Sequence, residues 1–235
     1  MGSIERPLRV AILECDSPLP HTQAKFGGYG GVFQALLRSG AKLLERPDPE
    51  HGFDFSNHQI ETDPESYPSL SDLDAILLTG SRYDAFADTL WINKLVEYTK
   101  KALDSGKVKI IGVCFGHQIV GRALGVKVGR NDAWEAAVTD AIHQMHRDIV
   151  FYYPEGVEAL GSSPVCKVQG MYTPGRLLTI QGHPEFSEEI TTEILTSRHK
   201  AGIFDDDAYE KYMKKVGLPH DGLKISQAFL KFLQE

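Results

Sequence analysis

The segment Ile110-Ile-Gly-Val-Cys-Phe-Gly-His-Gln118 is the part of this chain that decides its fold. Its apolar first half predicts a buried strand, and its second half predicts the start of a helix. Gly112 and Gly116 flank Cys114 and indicate a sharp turn, in which larger side chains would collide with the adjoining strand and helix. Such an elbow exposes one sulfur at a helix N-terminus, where the helix dipole favours a thiolate. We therefore predict that Cys114 is a nucleophile that attacks a carbonyl carbon.

Strand and helix patterns alternate along the rest of the chain. This alternation predicts an α/β fold with a mostly parallel central sheet that is covered on both faces. Gly40 is expected to end the first helix, the polar residues 45–67 to form a surface loop, and residues 130–175 to be less regular. The predicted strands are 8–14, 74–79, 108–113 and 177–181, and the predicted helices are 30–39, 91–103, 118–124, 188–200 and 226–233.

Length, charge and cysteine content limit the class of protein. The 235 residues are expected to form a single domain over 1–235. A net charge of −7 without a block of like charges speaks against nucleic acid or a membrane surface as partner. The polar residues 1–7 predict no secretory signal, and three cysteines do not indicate a disulfide framework. We therefore expect a cytoplasmic protein that uses no metal and no cofactor.

A second candidate group, Gly182-His-Pro-Glu185, directly follows the predicted strand 177–181. A cysteine nucleophile needs a base, and the base needs an acceptor that orients it. A histidine in such a loop is by itself more often structural, but here an elbow cysteine accompanies it. The carboxyl ends of parallel strands meet at one edge of the sheet. We therefore predict a catalytic triad of Cys114, His183 and Glu185.

A third candidate group, Thr79-Gly80-Ser81, follows the predicted strand 74–79. Acyl transfer needs N–H donors directed at the oxyanion that develops in the transition state. The backbone at Gly80 can provide one donor, although a glycine of this kind is, taken alone, more often part of a simple turn. The N–H of Phe115, the residue after the nucleophile, is the expected second donor.

The two motifs 112–118 and 181–186 together resemble those of the class I glutamine amidotransferase family. The resemblance covers roughly residues 10–194 and implies a flavodoxin-like three-layer α/β/α sandwich. It implies that Cys114 attacks the side-chain amide of glutamine, that His183 transfers protons and that Glu185 orients the imidazole. It further implies two oxyanion donors, Gly80 and Phe115, and a contact from Gln118 to the glutamyl group. We also expect Ser81 and His146 to contact the substrate, although a structural hydrogen-bonding role explains His146 at least as well.

Finer features in residues 25–33, 79–86 and 144–148 resemble the stand-alone members of this family in fungi and plants. That branch includes γ-glutamyl peptidases, which remove glutamate from γ-glutamyl thiol conjugates such as glutathione adducts. The resemblance therefore implies a hydrolase that forms a γ-glutamyl thioester on its cysteine and acts on a small γ-glutamyl substrate. Asp84 and Trp91 are expected to shape the oxyanion loop.

The spacing between Cys114 and His183 is shorter than is usual in this family. The missing stretch would form part of the wall over the glutamine pocket. A short wall is compatible with an open site for a bulkier substrate, with a damaged site, and with a segment absent between Val138 and Ile142.

Three other functions stay open at this point. The first is a glutaminase subunit that delivers ammonia to a partner synthetase or biosynthetic enzyme. The second is a catalytically silent binding or regulatory module with the same fold. The third is a deglycase-like enzyme, which shares the elbow cysteine but lacks the His-Pro-Glu motif. A partner enzyme and a homodimer are both compatible with the sequence.

Overall fold

The computed structural model describes residues 6–138 and 142–235, and these residues form nine strands and seven helices. No helix within these ranges is both long and apolar enough to cross a membrane. The strands are β1 (Leu8–Glu14), β2 (Phe53–Gln59), β3 (Ala75–Leu78), β4 (Lys109–Val113), β5 (Val128–Val138), β6 (His143–Val150), β7 (Glu158–Ala159), β8 (Gly170–Thr173) and β9 (Leu177–Ile180). The helices are α1 (Pro20–Phe26), α2 (Tyr29–Leu44), α3 (Leu90–Ser105), α4 (Phe115–Ala123), α5 (Glu188–Lys200), α6 (Asp206–Met213) and α7 (Gly222–Gln234).

The central sheet has seven strands in the order β2-β1-β3-β4-β9-β8-β7. The first five of these strands are parallel, while β8 and β7 extend one edge in antiparallel pairing. The parallel strands, numbered among themselves, follow the order 2-1-3-4-5 that is typical of flavodoxin-like folds. The prediction of an α/β fold with a mostly parallel sheet is therefore confirmed.

Two layers of helices cover the two faces of the sheet. Residues along a strand point to alternate faces, so Ala11 and Leu13 of β1 pack on one side while Val10 and Ile12 pack on the other. Helices α3 and α4 supply the apolar side chains of the first layer, and α2 and α7 supply those of the second. This arrangement is the three-layer sandwich that the resemblance implied.

The prediction that Gly40 ends a helix is wrong, because α2 continues through it to Leu44. A Cβ atom at Gly40 would lie 2.3 Å from Oγ of Ser226, on α7. This glycine therefore allows α2 and α7 to approach closely. A glycine that ends a helix and a glycine that permits such a contact look the same in a single sequence.

The prediction of a surface loop over 45–67 is also wrong in part, because these residues contain β2. The strand pairs in parallel with β1 from Phe53 to Gln59 and forms one edge of the central sheet. Asp54 and Asn57 of this strand are exposed, as an edge strand allows, while the rings of Phe53 and Phe55 stack with centroids 4.8 Å apart.

Residues 130–175 are more regular than expected. Most of the antiparallel hairpin β5–β6 lies here, with a register shift between Arg130 and Glu135, followed by β7 and β8. The hairpin packs against α5 and α6 through an apolar cluster that includes Ala136 and Met145. Residues 139–141, where the sequence left room for an absent segment, lie outside the described residues.

Candidate active site

Cys114 lies between β4 and α4 with φ 52° and ψ −104°, a backbone conformation that non-glycine residues rarely adopt. The flanking glycines are required by close contacts: a Cβ at Gly116 would lie 2.3 Å from the carbonyl oxygen of Leu78, and one at Gly112 would lie 2.9 Å from the Gly116 carbonyl carbon. The N–H of Cys114 donates to the carbonyl of Ile180 at 2.9 Å, which anchors the elbow to the neighbouring strand.

His183 lies beside the nucleophile and is held from several sides. Its Nδ1 is 2.7 Å from Oε1 of Glu185, and its ring and Cys114 both lie against Gly80. The imidazole stacks on the ring of Phe186, with centroids 4.0 Å apart and an angle of 8° between the planes. The backbone N–H of His183 donates to the carbonyl of His143 at 2.8 Å. The structure thus brings the three predicted triad residues together.

The charges around His183 favour its protonated form. Burial alone would lower the pKa of this imidazole, but the neighbouring Glu185 and Cys114 raise the pKa to about 10. Oε2 of Glu185 has no hydrogen-bond partner among the described residues. The arrangement therefore favours an imidazolium beside the sulfur, which is the state that stabilises a thiolate.

The two predicted oxyanion donors both lie next to the nucleophile. Gly80 follows β3, and a Cβ placed on it would be 3.7 Å from Cβ of Cys114. Phe115 is the first residue of α4, where backbone N–H groups have no partner within the helix. Within the described ranges, neither N–H donates to another backbone carbonyl, whereas that of Gly116 donates to Thr79 at 3.2 Å. Both N–H groups are thus available to donate to an oxygen that develops a negative charge.

Aromatic and charged contacts support the oxyanion loop. The ring of Trp91 stacks on that of Phe115 with centroids 5.6 Å apart. Arg130 on the hairpin forms an ion pair with Asp84 and another, at 3.2 Å, with Asp148. Trp91 thus packs against Phe115 and Asp84 is tied to the hairpin, while their role in shaping an oxyanion loop stays a prediction.

Two of the predicted substrate contacts are engaged in internal hydrogen bonds. The amide nitrogen of Gln118 donates to the Asp148 carbonyl at 2.8 Å and to Oε1 of Gln181 at 3.0 Å. His146 is buried, with Nε2 3.1 Å from Oε2 of Glu135. Gln118 thus ties the hairpin to α4, and His146 joins the two strands of the hairpin, while the third predicted contact, Ser81, lines a cavity beside the triad.

That cavity has a volume of about 220 Å³ and is lined by Gly80, Ser81, His183 and Glu185. Its lining also includes Asp16, Tyr29 and Arg198, which the sequence did not identify as site residues. Tyr29 lies in the glycine-rich stretch and Arg198 in a predicted helix, but no sequence pattern marked them as facing the nucleophile. Among the described residues, no group of three or more His, Cys, Asp or Glu side chains is placed to hold a metal ion.

Comparison with known proteins agrees with this geometry. Residues 42–199 match the model of the family described as glutamine amidotransferase class-I. A glutamine amidotransferase-like protein of Schizosaccharomyces pombe is 33% identical over 247 residues, covering 96% of this chain and 98% of the relative. Gamma-glutamyl peptidase 2 of Arabidopsis thaliana is 35% identical over 204 residues, covering 78% of this chain and 79% of the relative.

The fold is also found in solved structures. A glutamine amidotransferase from Thermotoga maritima superposes with a TM-score of 0.66 at 15% identity, covering 98% of each chain. At that identity the likeness concerns the fold alone, whereas the family match and the relatives above extend over most of the sequence. The chain belongs to the class I glutamine amidotransferase family.

Proposed function

We propose that this chain, as a single cytoplasmic domain, is a cysteine-dependent hydrolase of γ-glutamyl amides that works through a γ-glutamyl thioester on Cys114. The observation that carries the proposal is the strained elbow cysteine beside His183, whose Nδ1 is held by Glu185 at 2.7 Å. The three described cysteines are free thiols, which supports a reducing compartment.

In the first half of the reaction, the sulfur of Cys114 attacks the δ-carbonyl carbon of the γ-glutamyl group, and an S–C bond forms. The carbonyl oxygen becomes an oxyanion, which accepts hydrogen bonds from the N–H groups of Gly80 and Phe115. His183 then gives its proton to the leaving nitrogen, the C–N bond breaks and the amine departs. Glu185 stabilises the imidazolium and keeps the ring in position.

In the second half, a water molecule attacks the thioester. His183, now neutral, accepts a proton from this water, and a second oxyanion forms between the same two N–H groups. The C–S bond breaks, glutamate is released, and the proton on His183 restores the starting ion pair with Cys114. No metal, cofactor or second substrate enters this sequence of steps.

The γ-glutamyl group is the unit that the relatives have in common. One is named a glutamine amidotransferase-like protein and another a gamma-glutamyl peptidase, and glutamine is itself the simplest γ-glutamyl amide. The substrate of this chain is accordingly glutamine or a γ-glutamyl peptide, and its acyl half is the same in both cases.

Covalent labelling tests the proposal. Incubation with a chloromethyl ketone analogue of glutamine is expected to add one label to the native chain at Cys114 and none to Cys114→Ala, as read by mass spectrometry. Cys166→Ala serves as a matched control, because Cys166 is fully buried and the variant retains the labelled thiol. A folded native chain that stays unlabelled at Cys114 would contradict the proposal and favour a silent binding module.

Hydrolysis assays then identify the substrate. The native chain and Cys114→Ala are compared on glutamine, glutathione, a glutathione conjugate and γ-glutamyl dipeptides. Release of glutamate from the peptides by the native chain alone supports a γ-glutamyl peptidase. A chain that is labelled but hydrolyses only glutamine supports a subunit that supplies ammonia to a partner enzyme.

A further inference from the structure

Arg198, near the C-terminal end of α5, lines the cavity beside the triad. Its guanidinium lies over the ring of Trp134, 5.0 Å from the centroid. Its Nη1 is buried and has no hydrogen-bond partner among the described residues, and no ion pair involves this side chain in the same part of the chain. The cavity wall thus carries a positive charge that the protein itself does not neutralise.

The nearby acidic groups do not serve as its partners. Asp16 lines the same cavity, but its carboxylate accepts the backbone N–H of Arg82 at 2.8 Å and forms an ion pair with the Arg82 guanidinium at 3.1 Å. Glu185 is engaged with His183 at 2.7 Å. The positive charge of Arg198 is therefore left for a group that enters the cavity.

An unpaired guanidinium out of water is costly, and such groups are usually paired or bind a ligand. Its planar set of donors matches a carboxylate, with which it forms charge-assisted hydrogen bonds. Tyr29, which is half-buried, also lines the cavity, and within the described ranges its hydroxyl makes no hydrogen bond. Together they offer an anion several donors on one wall.

We propose that Arg198 binds a carboxylate of the substrate in this cavity and thereby positions the γ-glutamyl amide against Cys114. The inference rests on the proposed function, since only that function places a γ-glutamyl substrate here. Two carboxylates carry the same chemistry: the α-carboxylate of the glutamyl unit and the carboxylate of an amino-acid leaving group. Substrate analogues distinguish between them.

The first test needs no turnover and so is independent of the proposed hydrolysis. Cys114 is alkylated with iodoacetate, which carries a carboxylate, and with the neutral iodoacetamide. The quantity measured is the rate with iodoacetate divided by the rate with iodoacetamide. We expect Arg198→Gln to lower this ratio about tenfold or more, because it removes a charge-assisted hydrogen bond. Lys200→Gln removes the same charge from an exposed position on the same helix and should leave the ratio unchanged.

An unchanged ratio in a folded Arg198→Gln, with a thermal midpoint within a few degrees of the native chain, would overturn the inference. An equal fall of the rate ratio in Lys200→Gln would overturn the inference as well, because the effect would then reflect the net charge of the protein. Arg198→Lys keeps the charge but loses the planar donors and should restore only part of the ratio.

The second test locates the carboxylate. Values of kcat/KM for Arg198→Gln and the native chain are compared on γ-glutamyl methylamide, which has only the α-carboxylate, and on γ-glutamylglycine, which has a second one. A loss of about tenfold or more on both substrates assigns Arg198 to the α-carboxylate, and a loss on the dipeptide alone assigns it to the leaving group. No loss on either contradicts the inference, whereas a native chain inactive on both and also on glutamine contradicts the proposed function.

Discussion

Gly80 lies so close to the imidazole of His183 that a Cβ atom on this glycine would be 2.9 Å from Cε1 of the ring. The sequence marked Gly80 only as a donor to the oxyanion. The structure adds a steric requirement at position 80: a larger side chain would press on the imidazole, and Phe186, which stacks on the ring, restricts its movement. The size of residue 80 therefore controls the position of the base.

We expect Gly80→Ala to reduce kcat/KM about a hundredfold, because a displacement of the order of 1 Å at the reacting groups has an effect of this size. The free energy of unfolding should change little, since the imidazole borders the cavity and can shift into it without displacing other side chains. Steady-state kinetics on a γ-glutamyl substrate and urea denaturation measure the two quantities. Wild-type kcat/KM in this variant would show that the ring tolerates the methyl group.

Cys114→Gly should be more stable than Cys114→Ala by about 1 kcal/mol, although neither variant is active. The backbone at this position has φ 52°, a conformation that is costly for a residue with a Cβ and accessible to glycine. Urea denaturation of the two inactive variants gives the difference directly. Equal stability would mean that the elbow relaxes once the sulfur is lost.

The stability of the native chain should fall as the pH rises from about 6.5 to about 10. An unfolded histidine has a pKa near 6.5, whereas the charges of Glu185 and Cys114 outweigh burial and raise the pKa of His183 to about 10. A group whose pKa is raised on folding stabilises the protein fully below its unfolded pKa, and this contribution is lost as the pH passes its folded pKa.

Glu185→Gln provides the comparison for this pH effect. The substitution removes one of the charges that raise the pKa of His183, so the decline in the urea midpoint between pH 6.5 and 10 should become shallower. The same variant should lose roughly 10²- to 10⁴-fold in kcat, the range for impaired general acid–base catalysis. Parallel pH profiles of the two proteins would contradict the assignment of the titration to His183.

Gly40→Ala should destabilise the fold by about 1–2 kcal/mol, although alanine favours helices over glycine. The cause is the contact between α2 and α7, in which the new Cβ would lie 2.3 Å from Oγ of Ser226. In a Ser226→Gly background the same substitution should become stabilising. A double-mutant cycle by urea denaturation measures this coupling, and additive effects would contradict it.

The sequence was sufficient for the parts of the molecule that are governed by local pattern. Strands that alternate with helices predicted the mostly parallel sheet, and the Gly-x-Cys-x-Gly turn predicted the elbow at Cys114. His183 and Glu185 were identified because they directly follow a predicted strand, and the parallel sheet brings such strand ends to one edge.

Features that depend on contacts between distant parts of the chain were not predictable in this way. Gly40 looked like a helix end, because its reason for being small is Ser226, far along the chain. The polar strand β2 was missed, because an edge strand need not be apolar. Arg198 carried no signal at all, since only the folded structure shows that its buried Nη1 lacks a partner among the described residues.

The order of strands in the sheet has a consequence for the growing chain. The elbow and β4 are synthesised well before β9, the strand that pairs with β4 and whose carbonyl at Ile180 accepts the N–H of Cys114. His183 follows that same late strand. A ribosome-bound chain that ends before β9 therefore carries the thiol without its base and without the bond that holds its backbone. The thiol acquires its partner only when the last parallel strand joins the sheet, so a partly made protein is protected from premature reactivity.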